Sequence, residues 1–281
     1  CDQAKKFDLP VIIFTEGGGG RPGDTDVLTQ IAGLHIPSFS SWAQLTGTSL
    51  KIAVNNGYCF AGNAALFGCS DFRIATKTSW IGMAGPAMIE GGGLGIFEPT
   101  DIGPVSVHQK NGVVDYVAEN EEEATLIAKK LLSYFQGSIE DFSVCDQEIL
   151  QSVMPEDRRY TYEVRDIINT IADEDSFLEL RKKYGESIAT GFIRIAGKPF
   201  ALLASDCQKL GGAIDSESAE KAADFISICN DHAMPILVLA DTPGFMVGPA
   251  SEELGAVRRM ASLFKQGANI KVPLVAEFLR K

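Results

Sequence analysis

One sequence pattern occurs twice in this chain. Residues 10–16 form an apolar run that ends on an acid and is followed by four glycines, and residues 235–241 repeat the run, the acid and a glycine-containing loop. A second apolar run follows each loop after a similar interval, at residues 51–57 and 272–280. Such repetition predicts two copies of one fold unit. A ligand site is expected where two such loops face each other.

The composition is that of a globular protein with room for two domains. The chain has 281 residues, of which 45% are hydrophobic and 22% are charged. The formal net charge of −12 disfavours a nucleic-acid partner, which requires a basic face. No apolar run reaches roughly 18 residues, so no membrane span is predicted. An anionic ligand stays possible, because backbone N–H groups bind anions without a basic surface.

Histidine and cysteine usage argues against metal and disulfide chemistry. The three histidines do not form an H-E-x-x-H pattern, so no catalytic metal is predicted. The six cysteines include no C-x-x-C pair and are interpreted as reduced thiols, mostly in the core. The chain begins at Cys1 and stops at Lys281 directly after a strand-like run, so we interpret it as a fragment of a longer protein.

Strand-like and helix-like segments alternate, which predicts an α/β fold with mostly parallel strands. The expected strands are residues 10–15, 50–55, 71–75, 189–195, 199–204, 235–240 and 272–280. The expected helices are residues 60–69, 121–135, 162–172, 175–184, 216–232 and 251–268, with weaker patterns at 25–34 and 40–47. A charged connector is expected over 138–190. We divide the chain into a first half with connector, residues 1–175, and a second half, residues 176–281.

Two loops carry motifs that have more than one interpretation. The four glycines after Glu16 either let a backbone approach a phosphate-bearing ligand closely or form a plain tight turn, and they do not match a P-loop. The segment Asp241-Thr-Pro-Gly-Phe resembles a GTPase turn, but no P-loop precedes it. Glu252 and Glu253 are interpreted as a solvated helix start rather than an acid/base pair. His108 is interpreted as structural, with a chemical role as the alternative.

The segment Gly57-Tyr-Cys-Phe-Ala-Gly62 follows a strand and opens an expected helix. Free N–H groups at a helix start stabilise negative charge. The amides of Ala61 and Gly62 therefore predict an oxyanion hole, and close packing of helix against strand is the alternative.

Together these segments resemble the carboxyltransferase (beta) component of biotin-dependent acyl-CoA carboxylases. The matching stretches include Gly57-Tyr-Cys-Phe-Ala-Gly62, Gly112-Val-Val-Asp, Tyr162-Glu-Val-Arg165, Thr190-Gly-Phe-Ile-Arg194, Asp241-Thr-Pro-Gly-Phe245 and Leu279-Arg280-Lys281. The resemblance covers essentially the whole chain in order and spacing. It implies two crotonase-like β-β-α superhelix domains, both truncated here, and transfer of a carboxyl group from carboxybiotin to the α-carbon of an acyl-CoA.

The resemblance also implies roles for particular residues. The amides of Ala61 and Gly62 match an oxyanion hole for the substrate enolate. The backbone around Gly19 and Gly20, with Phe60, is expected to bind acyl-CoA. The biotin side is expected at Gly244 and Phe245. The base is expected to be a ureido nitrogen of biotin.

This chain departs from the family pattern at several points. Ala61 stands where the family has glycine, and Asn63 stands where it has a small apolar residue. The family's second oxyanion hole lies beyond Lys281. No biotin-accepting A-M-K-M segment is present. Biotin is therefore expected on another polypeptide or on a missing segment.

The resemblance further implies partners, a location and alternatives. Biotin carboxylase and biotin carrier subunits or domains are the expected partners, and the chain is expected to form a homo-oligomer in the cytoplasm, or in the mitochondrial matrix of a eukaryote. The alternatives are a biotin-dependent acyl-CoA decarboxylase subunit and a non-catalytic CoA-binding or assembly scaffold. The acyl-chain length stays open, although the four-glycine loop looks like a branch of larger, single-chain carboxylases.

Overall fold

A computed structural model describes residues 1–18, 37–157 and 159–280. The chain divides into two compact units, Cys1–Lys129 and Lys130–Lys281. Strands alternate with helices in both units, so the α/β class is confirmed. The division between residues 175 and 176 stays a prediction.

The first unit combines short parallel strands with short helices. Its strands are β1 (Val11–Phe14), β2 (Lys51–Asn55), β3 (Tyr58–Phe60), β4 (Phe72–Thr76), β5 (Trp80–Gly82) and β6 (Tyr116–Ala118). Its helices are α1 (Asp2–Phe7), α2 (Pro37–Ala43), α3 (Gly62–Gly68), α4 (Pro86–Gly91), α5 (Val105–His108) and most of α6 (Glu121–Tyr134). The weak helical pattern at residues 25–34 lies outside the described residues.

Four strands of the first unit form a parallel sheet in the order β1-β2-β4-β6, and β3 pairs with β5 in a separate parallel pair. Strand β2 is buried along its whole length, as a central strand of a parallel sheet should be. Helix α3 packs on this sheet through Ala64 and Phe67, which belong to one buried cluster with Ala53 and Ala75. The small side chains of this cluster allow the helix to approach the strands closely.

The second unit contains longer elements. Its strands are β7 (Leu178–Leu180), β8 (Ile188–Ile195), β9 (Lys198–Ser205), β10 (Ile236–Ala240) and β11 (Leu274–Phe278). Its helices are α7 (Leu150–Val153), α8 (Val164–Ile171), α9 (Ser216–Asp231), α10 (Pro249–Glu253) and α11 (Ala256–Ala268). The sheet has the order β11-β10-β9-β8-β7, with antiparallel pairing between β7, β8 and β9 and parallel pairing between β9, β10 and β11.

Both copies of the sequence repeat form the same kind of strand pair. In the first unit β1 pairs in parallel with β2, so that Val11 lies opposite Lys51. In the second unit β10 pairs in parallel with β11, so that Ile236 lies opposite Leu274. Because parallel strands run in one direction, the loops that leave each pair start at the same edge of the sheet. This edge is where open α/β sheets bind ligands.

The predicted helix at residues 175–184 is wrong, since this segment contains strand β7. Leu178 and Leu180 are buried on either side of Glu179, which is the period-two pattern of a strand. Arg181 adopts a φ of 51°, which ends the strand and excludes a continuing helix. The short strand pairs closely with β8 at Gly191, where an added Cβ would lie 2.2 Å from the Leu178 carbonyl oxygen.

The predicted helix at residues 251–268 is interrupted. Helix α10 ends at Glu253 and α11 begins at Ala256, because Gly255 has a φ of 72° and turns the chain between them. Glu252 and Glu253 are both exposed, and Glu252 lies in the first turn of the short helix α10, as expected for a solvated helix start.

Lys221 ties helix α9 to the turn between β7 and β8. Its amino group is buried and donates to the carbonyl oxygens of Arg181, Tyr184 and Gly185 at 3.1, 2.9 and 3.3 Å. Burial lowers the pKa of Lys221 to about 7. A single side chain therefore provides the donor for three carbonyl groups of one turn.

Replacement of Lys221 by Met is expected to destabilise the protein by about 1–3 kcal/mol, because buried carbonyl groups lose their donor. Urea unfolding followed by far-ultraviolet circular dichroism measures this change. Lys182→Met is the matched control, since Lys182 lies in the same turn with a side chain that is 67% exposed. Equal free energies of unfolding for the two variants would contradict this role of Lys221.

Candidate functional site

The turn between β3 and α3 has an unusual backbone conformation. Ala61 adopts φ 54° and ψ −121°, a combination that non-glycine residues rarely occupy. Its N–H donates to the Gly82 carbonyl oxygen at 3.0 Å, which fixes the turn to the end of β5. Of the two amides predicted to bind an oxyanion, that of Ala61 is therefore engaged within the fold. The N–H of Gly62 lies in the first turn of α3, where no intrahelical acceptor exists.

The loop after β1 lies against this turn. Gly17 forms a parallel bridge with Cys59: its N–H donates to the Tyr58 carbonyl oxygen at 2.7 Å, and its own carbonyl accepts from the N–H of Phe60 at 2.9 Å. Gly17 has a φ of 126°, which favours glycine at this position. The first two residues of the glycine run thus follow a fixed path, whereas Gly19 and Gly20 lie outside the described residues.

Asn63 connects the two segments. Its side-chain amide donates to the carbonyl oxygens of Thr15 and Glu16 at 3.1 and 3.0 Å. In the sequence, Asn63 stands out only because the family has a small apolar residue at this position. The structure gives this asparagine a structural role. The polar side chain holds the end of β1 on the first turn of α3.

Two aromatic rings lie at the turn. The ring of Phe39, from α2, covers Gly62 so closely that an added Cβ would lie 2.6 Å from its Cζ. Phe60 is buried and packs beside the backbone of Gly82 and Gly85. Phe60 therefore supports the turn from the inside, and its predicted contact with acyl-CoA stays a prediction.

Two further side chains near the turn, Cys59 and His108, are held by burial and by a backbone contact. Burial raises the pKa of the Cys59 thiol to about 11, so that the thiol stays protonated near neutral pH. The Nε2 atom of His108 lies 2.7 Å from the Ile81 carbonyl oxygen, which is a structural contact. Among the described residues, no group of three or more His, Cys, Asp or Glu side chains is arranged to hold a metal ion. The N–H groups at the start of α3 can donate hydrogen bonds to an anionic ligand atom.

The equivalent loop of the second unit starts at Asp241. The Thr242 hydroxyl accepts from the N–H of Gly244 at 3.0 Å, and the Gly244 carbonyl accepts from the N–H of Ile214 at 2.9 Å. The ring of Phe245 lies 5.3 Å from that of Phe264 on α11. The two residues predicted for the biotin side thus share one braced loop. An added Cβ at Gly244 would meet no atom within 4 Å, so this backbone borders open space.

Sequence reasoning did not single out Tyr162 and Arg280 as site residues. Both contact the carboxylate of Asp241, at 2.9 and 3.1 Å respectively. Their only signal in the sequence was their place in two of the segments that carry the family resemblance.

No helix in the described part of the chain combines the length and apolarity that a bilayer crossing requires.

Replacement of Asn63 by Asp is expected to destabilise the protein by about 2 kcal/mol, since two donors are lost and a carboxylate faces two carbonyl groups. Urea unfolding measures the effect. Asn120→Asp provides the same chemical change where the side chain only accepts, from the N–H of Glu123 at the start of α6. That control should be neutral or slightly stabilising. A neutral Asn63→Asp variant would refute the proposed bracing.

Comparisons with known proteins identify the family. The sequence model of the carboxyl transferase domain matches residues 1–281. The methylmalonyl-CoA carboxyltransferase 12S subunit of Propionibacterium freudenreichii subsp. shermanii is 29% identical over 289 residues, which are 100% of this chain and 55% of that protein. The chain spans about half the length of the curated relatives it matches.

Solved structures agree with the sequence match. A single-chain, multi-domain long-chain acyl-CoA carboxylase superimposes with a TM-score of 0.95 and 48% identity, over 99% of this chain and 28% of that one. Transcarboxylase 12S, a hexamer solved with methylmalonyl-CoA, superimposes with a TM-score of 0.86 and 28% identity, over 99% of this chain and 56% of that one. The chain belongs to the carboxyl transferase domain family.

Proposed function

We propose that this chain is part of the carboxyltransferase of a biotin-dependent acyl-CoA carboxylase, which transfers a carboxyl group from carboxybiotin to the α-carbon of an acyl-CoA. The observation that carries the proposal is the family match across all 281 residues. Each unit is then part of a crotonase-like domain. A close structural relative with bound methylmalonyl-CoA supports acyl-CoA as the substrate class.

The reaction requires an enolate of the acyl thioester, whose oxygen carries negative charge. Preorganised N–H donors stabilise such an oxygen more than the neutral ground state. Gly62 supplies the donor at the start of α3, and Ala61 holds that donor in place through its bond to Gly82. Gly17 and Asn63 hold the start of the glycine loop beside this donor. The role of Gly19 and Gly20 in binding acyl-CoA stays a prediction.

Biotin, when bound, supplies the activated carboxyl group and a ureido nitrogen that acts as the base. The open space at Gly244 fits the approach of a flat heterocycle to the backbone of residues 244 and 245. A base on biotin also agrees with the protonated Cys59 and the structural contact of His108.

We propose a long acyl chain as the substrate. The supporting observation is the 48% identity to a long-chain acyl-CoA carboxylase, which far exceeds the identity to the methylmalonyl-CoA enzyme. That relative is a single chain with several domains, so the biotin carboxylase and biotin carrier functions are proposed on further domains or on partner subunits. A homo-oligomer and a cytoplasmic location are proposed with them.

Carboxyl transfer is measured in reverse, from carboxylated acyl-CoAs of increasing chain length to free biocytin, with the protein made from its full reading frame. We expect turnover that rises with chain length and requires biocytin. Loss of the carboxylate as CO2 without transfer to biocytin would exclude a carboxyltransferase that uses biotin. Binding of CoA esters without any turnover would favour the scaffold, and either result would overturn the proposal.

Replacement of Gly62 by Ala is expected to lower kcat about a hundred-fold, because the new methyl group collides with Phe39 and crowds the N–H donor. Affinity for acyl-CoA should change far less, since the donor acts mainly on the transition state. Gly68→Ala is the matched control on the same helix, where an added Cβ meets no atom within 4 Å. Equal kcat values for the two variants would remove Gly62 from the site.

A further inference from the structure

A buried polar cluster lies at the carboxyl end of the β10–β11 pair, formed by Tyr162, Asp241 and Arg280. The Tyr162 hydroxyl donates to Asp241 Oδ2 at 2.9 Å, and Arg280 Nη2 lies 3.1 Å from the same oxygen. The Arg280 guanidinium also lies over the Tyr162 ring, 5.1 Å from its centroid. Each member therefore contacts both of the others.

The cluster joins three segments that are distant in the sequence. Asp241 directly follows β10, Arg280 follows β11, and Tyr162 precedes α8. The parallel pairing continues to the cluster, since the N–H of Leu279 donates to the Ala240 carbonyl oxygen at 2.8 Å. Arg280 Nη1 further donates to the carbonyl oxygen of Tyr160 at 2.6 Å. The carboxylate of Asp241, at the end of β10, therefore binds both the residue that follows β11 and the segment that leads into α8.

Burial makes the geometry of this cluster costly to change. The side chain of Asp241 is 0% exposed and that of Arg280 is 5% exposed. Removal of one partner of a buried charge strongly destabilises the folded protein. Burial and the bond to Asp241 raise the pKa of Tyr162, so its hydroxyl stays a hydrogen-bond donor throughout the physiological range.

Asp241 is also the first residue of the loop that contains Gly244 and Phe245. On its other side the Asp241 carbonyl abuts Gly212, where an added Cβ would lie 2.4 Å from the oxygen. The direction in which the loop leaves the sheet is therefore set at Asp241, between Gly212 and the cluster. Beyond this residue the loop is held by Ile214, which bonds to Gly244 and Met246.

We propose that Tyr162 and Arg280 are positioning residues for the biotin-side loop, acting through the carboxylate of Asp241. This inference rests on the proposed carboxyl transfer. Neither residue touches the reacting atoms in this assignment. They fix the residue from which the loop starts, and through it the backbone of Gly244 and Phe245.

Tyr162→Phe isolates the hydroxyl, because the ring remains packed in the buried cluster with Val164 and Ile168. Tyr160→Phe is the matched control. It removes the same hydroxyl group two positions earlier in the chain, from a tyrosine that is 65% exposed. Both variants are made in the full-length enzyme. KM is measured for biocytin and for the carboxylated acyl-CoA, and hydrogen exchange is followed by mass spectrometry for peptides over residues 241–248.

Tyr162→Phe is expected to raise KM for biocytin about ten-fold, as the loss of a buried hydrogen bond to a charged group predicts. KM for acyl-CoA should stay within about two-fold of wild type, since the other loops are untouched, and exchange over residues 241–248 should quicken. Arg280→Lys, which keeps the charge but loses the planar fork, should produce the same split. Tyr160→Phe should match wild type in every measurement.

The outcomes separate this inference from the function on which it rests. If the wild-type enzyme transfers no carboxyl group to biocytin, the proposed function fails before any variant is compared. If the wild type is active and Tyr162→Phe and Arg280→Lys leave KM for biocytin and loop exchange unchanged, the positioning role alone is overturned. Equal rises in both KM values, with a lowered melting temperature, would assign the cluster to global stability and overturn it as well.

Discussion

The parallel pairing of two strands separated by about forty residues underlies the candidate sites of both units. Strand β1 pairs with β2, and β10 pairs with β11. The first strand of each pair is followed by an acidic residue and at least one glycine. Parallel hydrogen bonding forces the chain to leave both strands at the same edge. Loops that are distant in the sequence therefore converge there. No single side chain could produce this convergence, because it depends on the register of whole strands.

Within each unit, polar side chains hold the converged loops in different ways. In the first unit the amide of Asn63 donates to two carbonyl groups at the end of β1. In the second unit the carboxylate of Asp241 accepts from Tyr162 and Arg280. An uncharged contact suits a turn whose backbone N–H groups are proposed to stabilise an oxyanion, since a carboxylate at the position of Asn63 would oppose that negative charge. The charged brace of the second unit is neutralised within its own cluster.

The proposed chemistry agrees with the protonation of the site. Cys59 stays protonated, and the imidazole of His108 is held on a backbone carbonyl. A reaction whose base and carboxyl donor both arrive on biotin needs from the protein only oriented amides and a loop of fixed direction. The strained backbone of Ala61, held by Gly82, is the kind of feature that such orientation requires.

The sequence alone determined the class of fold, the repeat and the family resemblance. Local patterns sufficed for these, because apolar runs bounded by proline and glycine define strands such as β1, β2 and β10. The same local patterns were misleading at residues 175–184, where strand β7 pairs with β8 and lies close to the backbone of Gly191. The helical pattern also did not indicate the interruption at Gly255, where a left-handed φ of 72° separates α10 from α11.

The tertiary structure decided which residues of the predicted sites are available. The Ala61 N–H donates to the carbonyl oxygen of Gly82, and the pairing of β3 with β5 places Gly82 next to it. The roles of Asn63, Tyr162 and Arg280 likewise depend on contacts across roughly 40 to 120 residues of sequence. A sequence pattern records the local preference of each segment. Hydrogen bonds between distant segments follow from strand register and packing, and these form only when the whole chain folds.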